Sequence, residues 1–183
     1  MINSNKTKSY RNLGSVNVSD LKRRVEALSD SDWQIADSEK PNKFNALGRA
    51  QHLVFRFPKN LKSHLESYET SHWSGWKDII EPIIEKAVQP FNYSKGYFPR
   101  IMLAKLPSKS EVKPHVDKSP SAQYPHKIHI PIFTNNEVFF YANGESIHME
   151  VGQVYEVNNN QLHWAINNGN IDRIHLIFEY YSI

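Results

Sequence analysis

The stretch GQVYEVNNNQLHWAINNGNIDRIHLIFEY, residues 152–180, sets three short apolar runs between corners rich in Asn and Gly. QVYEV, HWAIN and RIHLIFEYY each read as a strand, because β-branched and aromatic residues suit a pleated, half-buried surface. Asn168-Gly169 marks a turn before the last of them. Working outward, YFPRIMLAKL (97–106), KIHIPIF (127–133), EVFFYA (137–142) and ESIHME (145–150) have the same character. Asn143-Gly144 stands between the last two, and both residue types tolerate positive φ, which makes the pair a hairpin signal. Short strands at such regular spacing predict a sandwich or a small barrel.

Before residue 96 the pattern is different. Residues 1–14 are polar and expected to be loosely ordered. Ser19 is placed to cap a helix over 20–29, with Leu21, Val25 and Leu28 on one face. QHLVFRF at 51–57 reads as a strand. WSGWKDIIEPIIEKAV at 73–88 reads as a helix with Ile79, Ile80, Ile83, Ile84 and Val88 along one side, kinked or restarted at Pro82. The division expected is a helix-rich part over 1–95 and a β core over 96–183, packed as a single domain of 183 residues.

The composition narrows the chemistry. A net charge of +3 with scattered lysines gives little reason to expect a nucleic-acid partner. The absence of cysteine removes disulfides, thiolate metal sites and cysteine nucleophiles together. No apolar run approaches the ~20 residues of a membrane span, and MINSNKTKSYRNLG lacks a signal-peptide core. The expectation is a soluble cytoplasmic protein without a membrane partner.

His-x-acid, a possible pair of metal ligands, occurs three times. In a strand, residues i and i+2 share a face, so an imidazole and a carboxylate can converge on one ion. His64-Leu65-Glu66 lies in KNLKSHLESYE, which reads as helix, where i and i+2 diverge. His148-Met149-Glu150 ends a hairpin strand and has only one downstream histidine nearby, His163, with no obvious loop between to bring them together. His115-Val116-Asp117 follows a strand, opens the loop KSPSAQYP, and is followed by His163 and then Arg173, each at the start of a strand. Two histidines and a carboxylate leave three octahedral positions open and suit non-haem Fe(II). The arginine supplies a permanently charged, planar fork for a carboxylate such as that of a 2-oxo acid.

The run His115-x-Asp117, His163, Arg173, with KPHVD, KIHIPIFTN and residues 152–180, resembles the Fe(II)/2-oxoglutarate-dependent dioxygenases. Within them it is most similar to the aspartyl/asparaginyl β-hydroxylase family, which includes small free-proline hydroxylases. The resemblance covers about residues 97–181 and implies a mainly β, double-stranded β-helix (a cupin-like jelly roll), with the N-terminal helices packed against it. It implies that His115, Asp117 and His163 hold Fe(II), that Arg173 pairs with the far carboxylate of 2-oxoglutarate, and that O₂ is the second co-substrate. The family usually carries Arg-x-His where this chain has Lys127-Ile128-His129, so His129, and less directly Lys127, are expected beside the co-substrate. Some members lack the carboxylate ligand that Asp117 supplies here.

The substrate implied is an amino acid, free or within a peptide. Tyr97, Arg100, Tyr124 and Trp164 lie near the site in sequence, and Arg100 is the candidate for a substrate carboxylate. Two other readings share the jelly roll. Gly152, His163 and Asn167 match the second cupin motif, with Asn158 and Asn160 where proline and glycine are usual, but a first cupin motif is missing around 115. A non-catalytic metal-binding or sensing module would keep the fold without turnover.

Overall fold

The structure is a computed structural model that describes residues 6–42 and 44–183. Eleven strands and four helices follow in the order β1 (Tyr10–Ser15), α1 (Ser19–Glu26), α2 (Asp30–Ser38), β2 (Gln51–Asn60), β3 (Ser63–Glu69), α3 (Trp73–Ala87), β4 (Gly96–Leu106), β5 (Ser110–His115), α4 (Pro120–Gln123), β6 (His126–Phe133), β7 (Val138–Ala142), β8 (Glu145–Ile147), β9 (Gln153–Val157), β10 (His163–Asn167) and β11 (Arg173–Ser182). They form a seven-stranded sheet, β1-β9-β6-β11-β4-β2-β3, and a four-stranded sheet, β5-β10-β7-β8. Every pairing is antiparallel. This is the double-stranded β-helix expected.

Strand β11 shows how the larger sheet is built. Ile174, Leu176, Phe178 and Tyr180 face the helices and join a core with Ile128, Ile130 and Ile132 of β6 and Leu103 of β4. Leu21 and Val25 of α1, Trp33 of α2, and Trp73, Trp76, Ile80 and Ile84 of α3 close that core from outside. The two-residue period of the strand sends Arg173, His175, Ile177 and Glu179 to the opposite face. There a smaller apolar cluster joins the sheets, with Leu106, Tyr155 and Val157 from one and Phe140, Ala142 and Ala165 from the other.

Several expectations change. Residues 10–14, read as loose with the rest of 1–14, belong to β1, whose Arg11 donates to the fully buried Glu156 of β9; residues 1–5 of that stretch lie outside the described residues. Ser19 begins α1 without capping it; its backbone N–H donates to the Asn17 side chain instead. Helix α3 runs unbroken through Pro82. KNLKSHLESYE is not helical: residues 63–69 form β3. The hairpin at Asn143-Gly144 is present, with φ of 50° and 81° and Ala142 paired to Glu145.

Phe178 is fully buried at the middle of β11. Phe178→Ala should cost about 3–5 kcal/mol, seen in urea titration as a lower midpoint with an unchanged slope.

Candidate active site

The inner face of the larger sheet is polar where burial alone would favour apolar residues. Glu179 of β11 is paired with Arg100 of β4 on one side and Lys127 of β6 on the other. On the same face are His129, Arg173 and His175, all buried. Burying charges is costly without partners, so the partners locate the chemistry. Arg100 Nη1 donates to Glu179 Oε1 at 2.6 Å, and Lys127 Nζ donates to Asp117 Oδ2 at 2.6 Å.

Asp117 follows β5 and is brought in by the smaller sheet. His115 ends β5 directly opposite His163, the first residue of β10, and the two rings lie 4.2 Å apart. Past that pair, the Asp117 backbone N–H donates to the Asn159 carbonyl at 3.0 Å, which turns the carboxylate back toward the histidines. Ligand atoms from His115, Asp117 and His163 all lie within 4.8 Å of one another. Among the described residues they are the group of three such side chains close enough to share an ion.

Hydrogen bonds fix the state of each donor. His115 Nδ1 lies 2.7 Å from the Lys113 carbonyl and His163 Nδ1 2.9 Å from that of Gln161. A carbonyl only accepts, so Nδ1 carries the proton and Nε2 keeps its lone pair for a ligand. Burial pushes the His163 imidazole down to about 4, which holds it neutral despite the charge of Asp117. Burial alone would raise the Asp117 carboxyl, but Lys127, His163 and hydrogen bonds from Lys127 and Asn159 hold it well below the usual carboxylate range. The set is a neutral His163 imidazole, the His115 imidazole with Nδ1 on a carbonyl, and one carboxylate.

Arg173 stands deeper in the same cleft. It is buried, and among the described residues its guanidinium makes no ion pair and Nε has no partner. Burial lowers it only to about 10, so it remains a cation. His129 Nε2 and His175 Nε2 are likewise buried without partners, with the two Nδ1 atoms 3.4 Å apart. An unmatched buried guanidinium calls for an anion from outside the chain.

The other sequence candidates fall as follows. Strand β3 does put His64 and Glu66 on one face, but His64 stacks on Tyr124 at 4.4 Å and Glu66 pairs with Lys59. His148 Nδ1 bonds the Val138 carbonyl beyond the end of β8. Trp164 stacks on Tyr141 at 4.7 Å, and the Tyr97 hydroxyl meets Ser67. Sequence reasoning missed Lys40, His52 and Phe44, which line the cleft, and Asn159, which is fully buried. Phe44 packs edge-on against His115 at 5.3 Å. Their common signal is weak: Lys40, Phe44 and Asn159 are single loop residues and His52 is one residue near the start of β2, each placed by contacts distant in the chain.

The profile of the aspartyl/asparaginyl β-hydroxylase family matches residues 82–182. The chain belongs to that family. No curated protein sequence matches it significantly. Among solved structures, a 2OG-Fe(II) oxygenase family oxidoreductase from Burkholderia pseudomallei superposes with a TM-score of 0.58 at 10% identity, covering 90% of each chain. A prolyl hydroxylase from Trichoplax adhaerens, solved with a hypoxia inducible factor peptide fragment, gives 0.60 at 9%, covering 96% of this chain and 84% of that one. A viral collagen prolyl hydroxylase from Paramecium Bursaria Chlorella virus-1, solved with 2OG, gives 0.51 at 12%, covering 96% and 97%.

This aspartyl/asparaginyl β-hydroxylase family member is therefore an oxidoreductase, and neither the sensing module nor the cupin reading is needed. Fe(II) and 2-oxoglutarate are the cofactor and co-substrate that such proteins imply. The residues present fit both: nitrogen and oxygen donors without thiolates suit Fe(II), and the orphaned Arg173 suits a carboxylate. No helix among the described residues is long and apolar enough to cross a membrane.

Burial pushes His129 and His175 well below the ordinary histidine range. The unfolded chain takes up protons at both imidazoles below about pH 6.5 and the folded chain does not, so stability falls as pH drops through that value. Each contributes a slope of up to about 1.4 kcal/mol per pH unit. Urea midpoints between pH 7.5 and 5.5 should therefore fall, and His175→Gln should flatten the decline.

Proposed function

We propose that His115, Asp117 and His163 hold Fe(II), that Arg173 anchors the far carboxylate of 2-oxoglutarate with His129 beside it, and that the protein hydroxylates an amino acid, free or within a peptide. The observation that carries this reading is a buried, unmatched guanidinium in the cleft lined by the two histidines and the aspartate. When bound, the metal and its 2-oxo-acid co-substrate supply the oxygen activation and the oxidising power for C–H hydroxylation.

The chain's own residues bind and orient. The two Nε2 atoms and Asp117 would hold the metal in the cleft that these three residues line, a set that leaves positions for other ligands. Arg173 sets the depth at which a five-carbon diacid stops, and the fork geometry resists rotation of its end carboxylate. Phe140, 5.6 Å from His129 and 6.0 Å from His163 between ring centres, gives the wall of the cleft between these two histidines an apolar face. Such walls exclude water from the reacting atoms. Arg100 lines the cleft with its charge matched by Glu179, and a guanidinium in that place is the candidate to meet a substrate carboxylate. The peptide held by the Trichoplax adhaerens neighbour supports keeping peptide substrates in view.

Purified protein should convert 2-oxoglutarate to succinate in an Fe(II)-dependent manner, stimulated by its substrate in a panel of free amino acids and peptides. Asp117→Ala and His163→Ala should each abolish succinate formation; full coupled turnover in either would sink the assignment. Arg173→Lys keeps the charge and loses the fork, so the KM for 2-oxoglutarate should rise roughly tenfold or more with a smaller change in kcat.

A further inference from the structure

The corner Asn158-Asn159-Asn160, between β9 and β10, gathers contacts from three parts of the chain. Asn158 Nδ2 donates to the Thr7 and Lys8 carbonyls, and its backbone N–H to Ser9. Asn160 Nδ2 donates to the Gln123 carbonyl. Between them, Asn159 is fully buried, and both its amide nitrogen and its amide oxygen have partners. Nδ2 donates to Asp117 Oδ2 at 3.0 Å and to the Ala122 carbonyl at 2.9 Å, while Oδ1 accepts from Lys6 Nζ at 2.5 Å. An ammonium only donates and a carboxylate only accepts, so these neighbours fix the amide orientation.

Asp117 is thus held from several directions. Its backbone N–H is on the Asn159 carbonyl, and Oδ2 receives both Asn159 Nδ2 and Lys127 Nζ. Oδ1 receives neither donor and lies 3.7 Å from His115 Nε2. We infer that Asn159 and Lys127 are positioning residues that clamp Oδ2, so that Asp117 presents Oδ1 alone to the metal. Lys127 acts through Asp117 and not on the co-substrate. This inference rests on the metal site proposed above.

Lys127 provides a test with an unusual sign. Removing a cation from beside a dication strengthens metal binding by Coulomb's law. Loss of a group that orients a ligand weakens it, typically by about 10–100-fold. Mn(II) binding to the full chain, without co-substrate, is followed by calorimetry and by the EPR signal of free Mn(II). Asn159→Leu and Lys127→Met, both near the original size, should raise the dissociation constant about tenfold or more, and Lys127→Arg should restore it. With saturating metal, Lys127→Met should leave the KM for 2-oxoglutarate within about twofold of wild type, whereas Arg173→Lys raises it.

Asp117→Ala separates the two layers of the reading. If Asp117→Ala binds Mn(II) like wild type, the metal site itself fails. If it weakens binding while Asn159→Leu and Lys127→Met bind like wild type or more tightly, the clamp is overturned and the site stands. A large rise in the 2-oxoglutarate KM of Lys127→Met would instead place the lysine on the co-substrate and overturn its role here.

Discussion

The site depends on the antiparallel pairing that places His163 of β10 opposite His115 of β5. Residues far apart in the chain become neighbours at one rung of the smaller sheet. The strand period then does the rest, because a shift of one residue would turn either imidazole away from the cleft. The carbonyls of Lys113 and Gln161, each two residues before its histidine, set both tautomers identically. One register therefore fixes the position and the orientation of two donors, each with Nδ1 on a carbonyl.

The larger sheet answers with charge. Along β11, β4 and β6 one face carries the apolar side chains that pack on α1, α2 and α3, and the other carries Arg100, Glu179, Lys127, His129 and Arg173. Opposite charges alternate from Arg100 to Glu179 and from Lys127 to Asp117. Arg173, on that face, makes no ion pair with the described residues, and its Nε is buried without a partner. A cation left unmatched in the interior is unfavourable for folding and useful for binding, which is how strain at a functional site is expected to look.

How much of this was legible follows burial. The strands read from sequence, β2, β4, β6, β7, β8, β9, β10 and β11, include every interior strand of both sheets and one edge, β8, which the Asn143-Gly144 turn marks. The elements missed or misread, β1, β3 and β5, are all sheet edges. Their sequences, YRNLGS, SHLESYE and SEVKPH, have little buried surface and so no apolar alternation to detect. The misreading of β3 gave the wrong reason for setting His64 aside; the structure replaces diverging helical positions with neighbours already engaged.

The sequence by itself determined the strands with a buried face, the Asn143-Gly144 hairpin, and the ordered set His115, Asp117, His163 and Arg173. These are local or pattern properties: period, turn chemistry and the residue types that ligation requires. Only the tertiary structure decided that Lys127 is bonded to Asp117, that Arg100 is matched by Glu179, and that Asn159 ties the site to Lys6 and Ala122. Those pairings join charges and amides on different strands and loops. Nothing in the chain order specifies them until the sheets close and burial forces each polar group to find a partner.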